Sequence, residues 1–291
     1  MNRIFAVAFA VICASLSVSS ACLAQPSEWV SFTLQPERGD PAKIHASFRD
    51  ATRERDHDNW STAFMPSELI GMEVSSFHGS GTRPLHFAIV REAGRLDCAG
   101  NGGNGYASGN CRFASDAAFT QLLLNRGIGR PTREQAFGLM AVNAHRELID
   151  SLAAARYPMP TISNLIALSA LRVDGRYIAE MSRAGYRPDT VQSLIQFKAL
   201  GITPGWIAGF ARIGYADLPG NELVQMKALG ITPDFVASFD RIGYRHLSVN
   251  QLVQLRALNI TPEFVQRVSA IGGERPPVNK LVQLKALGVV R

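Results

Sequence analysis

The second half of the chain is an internal repeat with a period of 29 residues. The block Leu-Ile-Gln-Phe-Lys-Ala-Leu-Gly-Ile-Thr-Pro at 194–204 recurs with few changes at 223–233 and 252–262, and its opening recurs at Leu281. Steps of 29 residues back from Leu194 reach similar apolar segments at Leu165 and Ala136 without a gap. Units of this length bury their apolar faces only against their neighbours, so the repeat predicts a stacked array.

Each unit has the sequence pattern of two short helices. Residues that favour helix N-caps open the first helix at equivalent positions, which are Thr132, Thr161, Thr190 and Ser248. Glycine or asparagine closes this helix at Gly201, Gly230 and Asn259. Thr-Pro pairs at 203, 232 and 261 then open the second helix, because proline is tolerated at its first position. We place unit starts near 132, 161, 190, 219 and 248, with a terminal half-unit near 277.

The first 24 residues have the pattern of a secretory signal peptide. Arg3 is followed by an apolar stretch from 4 to 16 and then by small residues, which predicts cleavage after Ala24. Two alternatives stay open: lipid attachment at Cys22, for which the preceding residues fit poorly, and a buried core helix. Cleavage would place the mature chain in the periplasm or outside the cell.

Two cysteines remain in the mature chain, Cys98 and Cys111, and they enclose a glycine-rich stretch. In an oxidising compartment such a pair usually forms a disulfide, and a loop of this size gives about 3 kcal/mol in the chain-entropy model. The stretch contains a G-x-G-x-x-G pattern at 100–105, which raises phosphate binding as an alternative. A dinucleotide fingerprint requires a helix directly after the glycines, and none is indicated here. We therefore predict a disulfide hairpin and no cofactor.

The region before the repeat reads as short strands, with alternating segments at 29–34, 43–48 and 85–90. Asp116 can cap a short helix at 117–125. The predicted fold class is α+β: a small antiparallel β domain at 25–128 with a disulfide hairpin, then an α-helical array of 29-residue αα repeats at 129–291.

Equivalent polar positions form two rows across the predicted array, which make a candidate binding strip. The basic row is Lys198, Lys227, Arg256 and Lys285, and the amide row is Gln196, Gln225, Gln254 and Gln283. As a binding strip, these rows would suit an acidic or extended ligand. In the alternative interpretation the basic row is structural, because each cation lies in the last turn of its helix and opposes the helix dipole.

Several functional classes find no support in the sequence. The formal net charge is +6, without the concentrated basic patch that nucleic-acid binding needs. No stretch after the signal is long and apolar enough to cross a membrane. None of the six histidines forms a His-Glu-x-x-His zinc helix, and no catalytic motif is complete, so we predict neither a metal site nor an enzyme.

The units Leu-Val-Gln-Leu-Arg-Ala-Leu-Asn-Ile-Thr-Pro-Glu-Phe-Val at 252–265, with the spaced Gly-Tyr pairs, resemble an uncharacterised bacterial helical repeat. That repeat occurs in secreted proteins and in the accessory C-terminal region of BlaR1-type antirepressor metallopeptidases. The segment from Phe87 to Gly100 is similar to the β-segment that precedes those repeats. The peptidase motif and membrane helices are missing here, so the resemblance implies only the accessory extracytoplasmic part.

These observations favour a non-catalytic exported interaction module. We expect its helical-repeat surface to bind a protein or an envelope component. Two alternatives stay open: a small-ligand sensor of the cell envelope, and a hydrolase with an unrecognised site.

Overall fold

A computed structural model describes residues 29–50, 59–273 and 275–288. The predicted signal peptide at 1–24, with Cys22 and the cleavage site at Ala24, lies outside these residues.

In the described part of the chain, six strands form one antiparallel sheet with the order β3-β2-β1-β6-β5-β4. The strands are β1 (Trp29–Glu37), β2 (Asp40–Asp50), β3 (Asn59–Phe64), β4 (Arg83–Arg91), β5 (Gly94–Gly103) and β6 (Tyr106–Ser115). A 3₁₀ turn at Pro66–Glu68 and helix α1 (Val74–His78) connect β3 to β4. The α+β class predicted from the sequence is confirmed.

Alternate side chains of the strands point to one side of the sheet and form its core. On β1, Val30, Phe32 and Leu34 are buried and their neighbours are more exposed. Phe32 meets Phe87 of β4 edge to face at 5.0 Å, although β6 and β5 lie between these strands in the sheet. Ile70, which follows the 3₁₀ turn, forms an isolated antiparallel bridge with Ala88 of β4.

The predicted disulfide is confirmed, and the residues between its cysteines are mostly strand. Cys98 of β5 pairs directly with Cys111 of β6, and the two sulfur atoms are bonded. Only Asn104 and Gly105 lie outside the strands, both with positive φ (54° and 76°), as a tight hairpin turn requires. Gly100 lies opposite Gly109, where an added Cβ would come within 2.1 Å of the facing main chain. The glycines therefore permit close strand contact.

Twelve helices follow the sheet in the described residues, and they start with α2 (Ala117–Asn125), which Asp116 caps as predicted. The first helices of the units are α3 (Arg133–Ala141), α5 (Ile162–Ala170), α7 (Val191–Ala199), α9 (Gly220–Ala228), α11 (Val249–Ala257) and α13 (Val278–Ala286). The second helices are α4 (Arg146–Ala154), α6 (Gly175–Arg183), α8 (Pro204–Ala211), α10 (Pro233–Asp240) and α12 (Pro262–Gly272). Successive first helices begin 29 residues apart, and so do successive second helices.

Contacts run mainly between neighbouring units, since each first helix packs against the first helix of the next unit. Tyrosines at the ends of second helices also reach forward: Tyr215 Oη donates to Leu247 O at 2.6 Å, and Tyr244 Oη donates to Pro276 O at 2.5 Å. Helix α3 begins the array and packs on β5 and β6, with the Phe137 ring 5.4 Å from Phe113. One hydrophobic core runs from the sheet into α9 without a break at 128–129, and a second core joins α8 to α13. The proposed domain boundary stays a prediction.

Candidate functional site

The basic row of the array lies against aromatic rings of the preceding second helices. Lys198 Nζ lies 4.3 Å from the Tyr177 ring centroid, Lys227 Nζ 5.1 Å from Trp206, Arg256 Cζ 5.3 Å from Phe235, and Lys285 Nζ 4.8 Å from Phe264. In each pair the cation follows its ring by 21 positions in the sequence. Each cation is also in the last turn of its helix, as predicted. These contacts give the row a structural role, whether or not it also binds a partner.

The amide row is on another side of the array. Gln196, Gln225, Gln254 and Gln283 are all exposed. Each glutamine precedes the basic residue of its helix by two positions, and residues two apart on a helix do not face each other. The two rows therefore form separate strips, and binding by either strip stays a prediction.

At the C-terminus of α3, the cation comes from the sheet and not from the next helix of the array. At the position of the basic row, α5 has Ser169 in place of lysine or arginine. Arg91, at the end of β4, donates from Nη1 to Met140 O at 2.8 Å and to Ala141 O at 2.6 Å, at the C-terminus of α3. Arg256 of α11 makes a similar contact three units later, where its Nε donates to Leu229 O at 3.0 Å, at the end of α9. Arg91 thus places a positive charge at the C-terminus of α3, as Arg256 does at the C-terminus of α9.

Arg91 is held firmly in this position. Its guanidinium carbon lies 5.1 Å from the Trp60 ring centroid and 5.6 Å from the Phe64 ring centroid. Burial lowers the pKa of the Arg91 guanidinium below its ordinary value, and the charge of the nearby Glu68 offsets part of this effect. The carbonyl groups at the negative end of the α3 dipole, which accept its hydrogen bonds, stabilise the positive charge.

The next residue, Glu92, binds the following helix terminus. Its carboxylate accepts from the Arg146 main-chain nitrogen at 3.0 Å, from Arg146 Nε at 3.1 Å, and meets His145 Nδ1 at 3.4 Å. Burial alone would raise the pKa of Glu92, but the hydrogen bonds from Arg146 and His145 outweigh it and lower the pKa. The β4–β5 turn therefore places a cation at the C-terminus of α3 and an anion at the N-terminus of α4.

We call the contact of the β4–β5 turn with α3 and α4 the joint. A cleft of about 570 Å³ lies beside it. One wall is strand β3 with Glu68 and Arg91, and the other wall is formed by the α3–α4 and α5–α6 turns. We call it the joint cleft. Its residues on the array side are Asn143, His145, Glu147, Leu148, Ser169, Arg172, Val173, Asp174 and Gly175, together with 141–142 and 170.

The joint cleft corresponds in position to a smaller pocket further along the array. A pocket of about 280 Å³ between α10, α11 and α12 is lined by Phe235, Arg256 and Asn259, among others. The residues three periods earlier, Leu148, Ser169 and Arg172, line the joint cleft. In the later pocket Arg256 lies over the ring of Phe235, whereas the joint cleft has neither a cation nor a ring at those places. Two smaller side chains thus leave space between the array and the sheet.

The joint cleft also differs from the later pocket in the polarity of its lining residues. Arg172 has positive φ (55°) at a position where later units have glycine or asparagine, and such a conformation is unfavourable for a long side chain. His145 and Asp174 are N-cap residues where later units have threonine. Ser169 Oγ is buried without a hydrogen-bond partner in the described structure. Such departures from an otherwise regular repeat concentrate at functional positions.

The lining groups of the joint cleft do not form a recognisable catalytic arrangement. Ser169 Oγ has no base bonded to it, and His145 is directed to Glu92. Across residues 29–50, 59–273 and 275–288, no group of three or more His, Cys, Asp and Glu residues is arranged to hold a metal ion. Within the same residues, no helix is long and apolar enough to span a bilayer.

Comparison of the chain with protein-family models, with curated proteins and with solved structures found no match. The resemblance to the bacterial repeat family therefore stays a prediction.

Proposed function

We propose that this protein is a non-catalytic binding module of an oxidising extracytoplasmic compartment, and that the joint cleft is its ligand site. The observation that carries the proposal is the break in the repeat at Leu148 and Ser169, which leaves this cleft open where a later unit places a cation over a ring. The volume of about 570 Å³ is within the range of small-molecule sites.

The same observation bears on the alternatives drawn from the sequence. The cations of the basic row already contact aromatic rings of the array, so we place the main contact with an envelope component at the joint cleft and not along that row. The small-ligand sensor is compatible with this site. The hydrolase is less well supported, because Ser169 Oγ has no base bonded to it. The disulfide fits an oxidising compartment, and export by a cleaved signal is part of the proposal.

The test is to fill the cleft with the residue types that later units carry. Ser169→Lys with Leu148→Phe introduces a cation over a ring, and Ser182→Lys adds the same charge at an exposed position of α6 outside the cleft. Each protein is immobilised and exposed to the peptide and small-molecule fractions of an envelope extract. Retained compounds are then identified by mass spectrometry.

We expect the unchanged protein and the Ser182→Lys control to retain the same compound, and the filled variant to lose it while its thermal midpoint stays the same or rises. Equal retention by all three proteins, or retention by none of them, would refute the joint cleft as the ligand site.

A further inference from the structure

Strand β3 presents its main-chain edge, and not one of its faces, to the joint cleft. Five consecutive residues, Trp60 to Phe64, line the cleft. Successive side chains of a strand point to opposite sides, so a cleft that touched one face would be lined by alternate residues only. Lining by every residue indicates that the edge itself borders the space.

This edge is open to another strand. In the described residues β3 is the outermost strand of the sheet and pairs with β2 alone. Along an antiparallel edge, alternate residues direct both N–H and C=O outward. Proteins usually protect such edges with lysine, proline or a covering segment, but Asn-Trp-Ser-Thr-Ala-Phe contains no charge and no proline. The edge that borders the cleft thus retains main-chain donors and acceptors.

Stacking against Trp60 is not available to a ligand. Phe48 stacks on this ring with a centroid distance of 4.7 Å, and the Arg91 guanidinium lies over it at 5.1 Å. Flat recognition of a sugar or an aromatic group at Trp60 would need one of these contacts to break. The main-chain edge is the recognition element that stays accessible, and it suits an extended peptide.

The charges of the joint cleft indicate one feature of that peptide. Glu147 and Asp174 line the cleft, are exposed, and take part in no salt bridge in the part of the chain that the structure describes. Of the two lining arginines, Arg91 is bonded to the C-terminus of α3, and Arg172 is exposed. With Glu68 the lining has three carboxylates against two guanidinium groups, so it favours a cation.

The repeat supports the same conclusion independently. At the place of Ser169, the four following units put lysine or arginine. A basic side chain of a ligand would lie near the place where those units carry their own cation.

We propose that the joint cleft binds an extended peptide as an additional strand on β3, with a lysine or arginine side chain directed to Glu147 and Asp174. A five-residue strand of the peptide, about 16 Å long, would pair along the edge from Trp60 to Phe64. This inference rests on the proposed function, because it names the ligand class for the same site.

The experiment is a selection from displayed random nine-residue peptides on the mature, disulfide-bonded protein, with counter-selection on the cleft-filled variant (Ser169→Lys with Leu148→Phe). Peptides that survive are synthesised in three forms: unmodified, with alternate main-chain nitrogens methylated, and with the basic residue changed to glutamine. Hydrogen exchange of the protein is measured with and without each peptide.

We expect the selected peptides to carry a lysine or arginine, to lose binding when the main-chain nitrogens are methylated, and to slow amide exchange on alternate residues of β3. Asp174→Asn keeps an N-cap, and with Glu147→Gln it should weaken the basic peptide roughly two- to fivefold for each carboxylate removed. The Asp234→Asn control changes the residue equivalent to Glu147 three units on, and it should have no effect.

Three outcomes would overturn this inference: no enrichment over the filled variant, enriched peptides without a basic residue, or binding that leaves the exchange of β3 unchanged. Its failure is distinguishable from failure of the proposed function. A non-peptide compound retained by the unchanged protein but not by the filled variant would keep the ligand site and refute the peptide. Equal retention by both proteins would refute both proposals.

Discussion

Replacing Arg91 with methionine should weaken the joint between the sheet and the array. Methionine keeps part of the apolar stem but removes the donors to Met140 O and Ala141 O, at 2.8 and 2.6 Å. Two hydrogen bonds from a charged group, with their carbonyl acceptors left in a partly buried site, correspond to about 2–4 kcal/mol. Loss of the contacts with Trp60 and Phe64 adds about 0.5–1 kcal/mol.

Relief from burying the guanidinium charge offsets part of that loss, as the lowered pKa of Arg91 indicates. The expected decrease in the free energy of unfolding is therefore about 2–3 kcal/mol. Arg256→Met is the matched control, because Arg256 is exposed and makes one such hydrogen bond and one ring contact. It should cost about 1 kcal/mol or less.

The assay is urea unfolding of the disulfide-bonded protein, followed by tryptophan fluorescence, to which Trp60 contributes beside the mutated residue. Circular dichroism at a helix-sensitive wavelength provides a second signal for the array. If Arg91→Met costs no more than Arg256→Met, the argument that the two hydrogen bonds of Arg91 stabilise the contact between the sheet and the array is refuted.

Four further predictions concern stability. Cys98→Ala with Cys111→Ala should lower the free energy of unfolding by about 3 kcal/mol in urea denaturation, and no change would contradict the chain-entropy argument. Gly109→Ala should destabilise by about 1–3 kcal/mol, because its Cβ would lie 2.3 Å from a main-chain oxygen of the paired strand. Gly205→Ala, which meets no atom within 4 Å, should raise the thermal midpoint through about 0.5–1 kcal/mol of helix propensity; equal effects of the two glycine changes would refute the steric argument. The pKa of Glu92 is lowered on folding, so its contribution to stability is present above its ordinary pKa of 4.5 and is lost as the pH falls through the folded-state pKa. Glu92→Gln should flatten this acid-side decrease in urea midpoints, and an unchanged slope would contradict it.

The helices of the array were predictable because their determinants are local. Thr132 and Ser248 accept from the main chain of Gln135 and Gln251, and both capping boxes form as the sequence indicated. Proline occupies the first turn of α8, α10 and α12, and Gly201 and Gly230 have positive φ. Each signal is contained within one turn of chain, so it needs no knowledge of the tertiary structure.

Strand β3 and helix α1 were not predicted, because tertiary contacts stabilise them. The β3 sequence has weak apolar alternation, and the strand forms through pairing with β2 and stacking of Trp60 on Phe48. Helix α1 has five residues and is too short to be stable alone. It is held by Phe77, which is fully buried, and by the Gly105 main-chain nitrogen, which donates to Phe77 O at 2.9 Å.

The sequence contains a signal of the joint cleft in the 29-residue alignment of its units. Aligned at 29 residues, the units show lysine or arginine at four successive positions and Ser169 before them. The same alignment shows Arg172 where later units have glycine or asparagine, and Asp174 where later units have threonine. These departures mark the array side of the cleft, whereas the contribution of β3 and Arg91 depends on how the sheet packs and could not be read from the repeat.

If Arg91 replaces the missing cation of the basic row, then returning a cation to the row should compensate for its loss. Ser169→Lys in the Arg91→Met background places a positive charge near the C-terminus of α3, as Arg256 does at α9. The double variant should be more stable than the sum of the single changes predicts, by about 0.5–1 kcal/mol, whereas Ser182→Lys should add independently. Urea unfolding of the four proteins of the cycle measures this coupling. A coupling no larger than that of the Ser182→Lys control would mean that Arg91 stabilises the joint by packing alone.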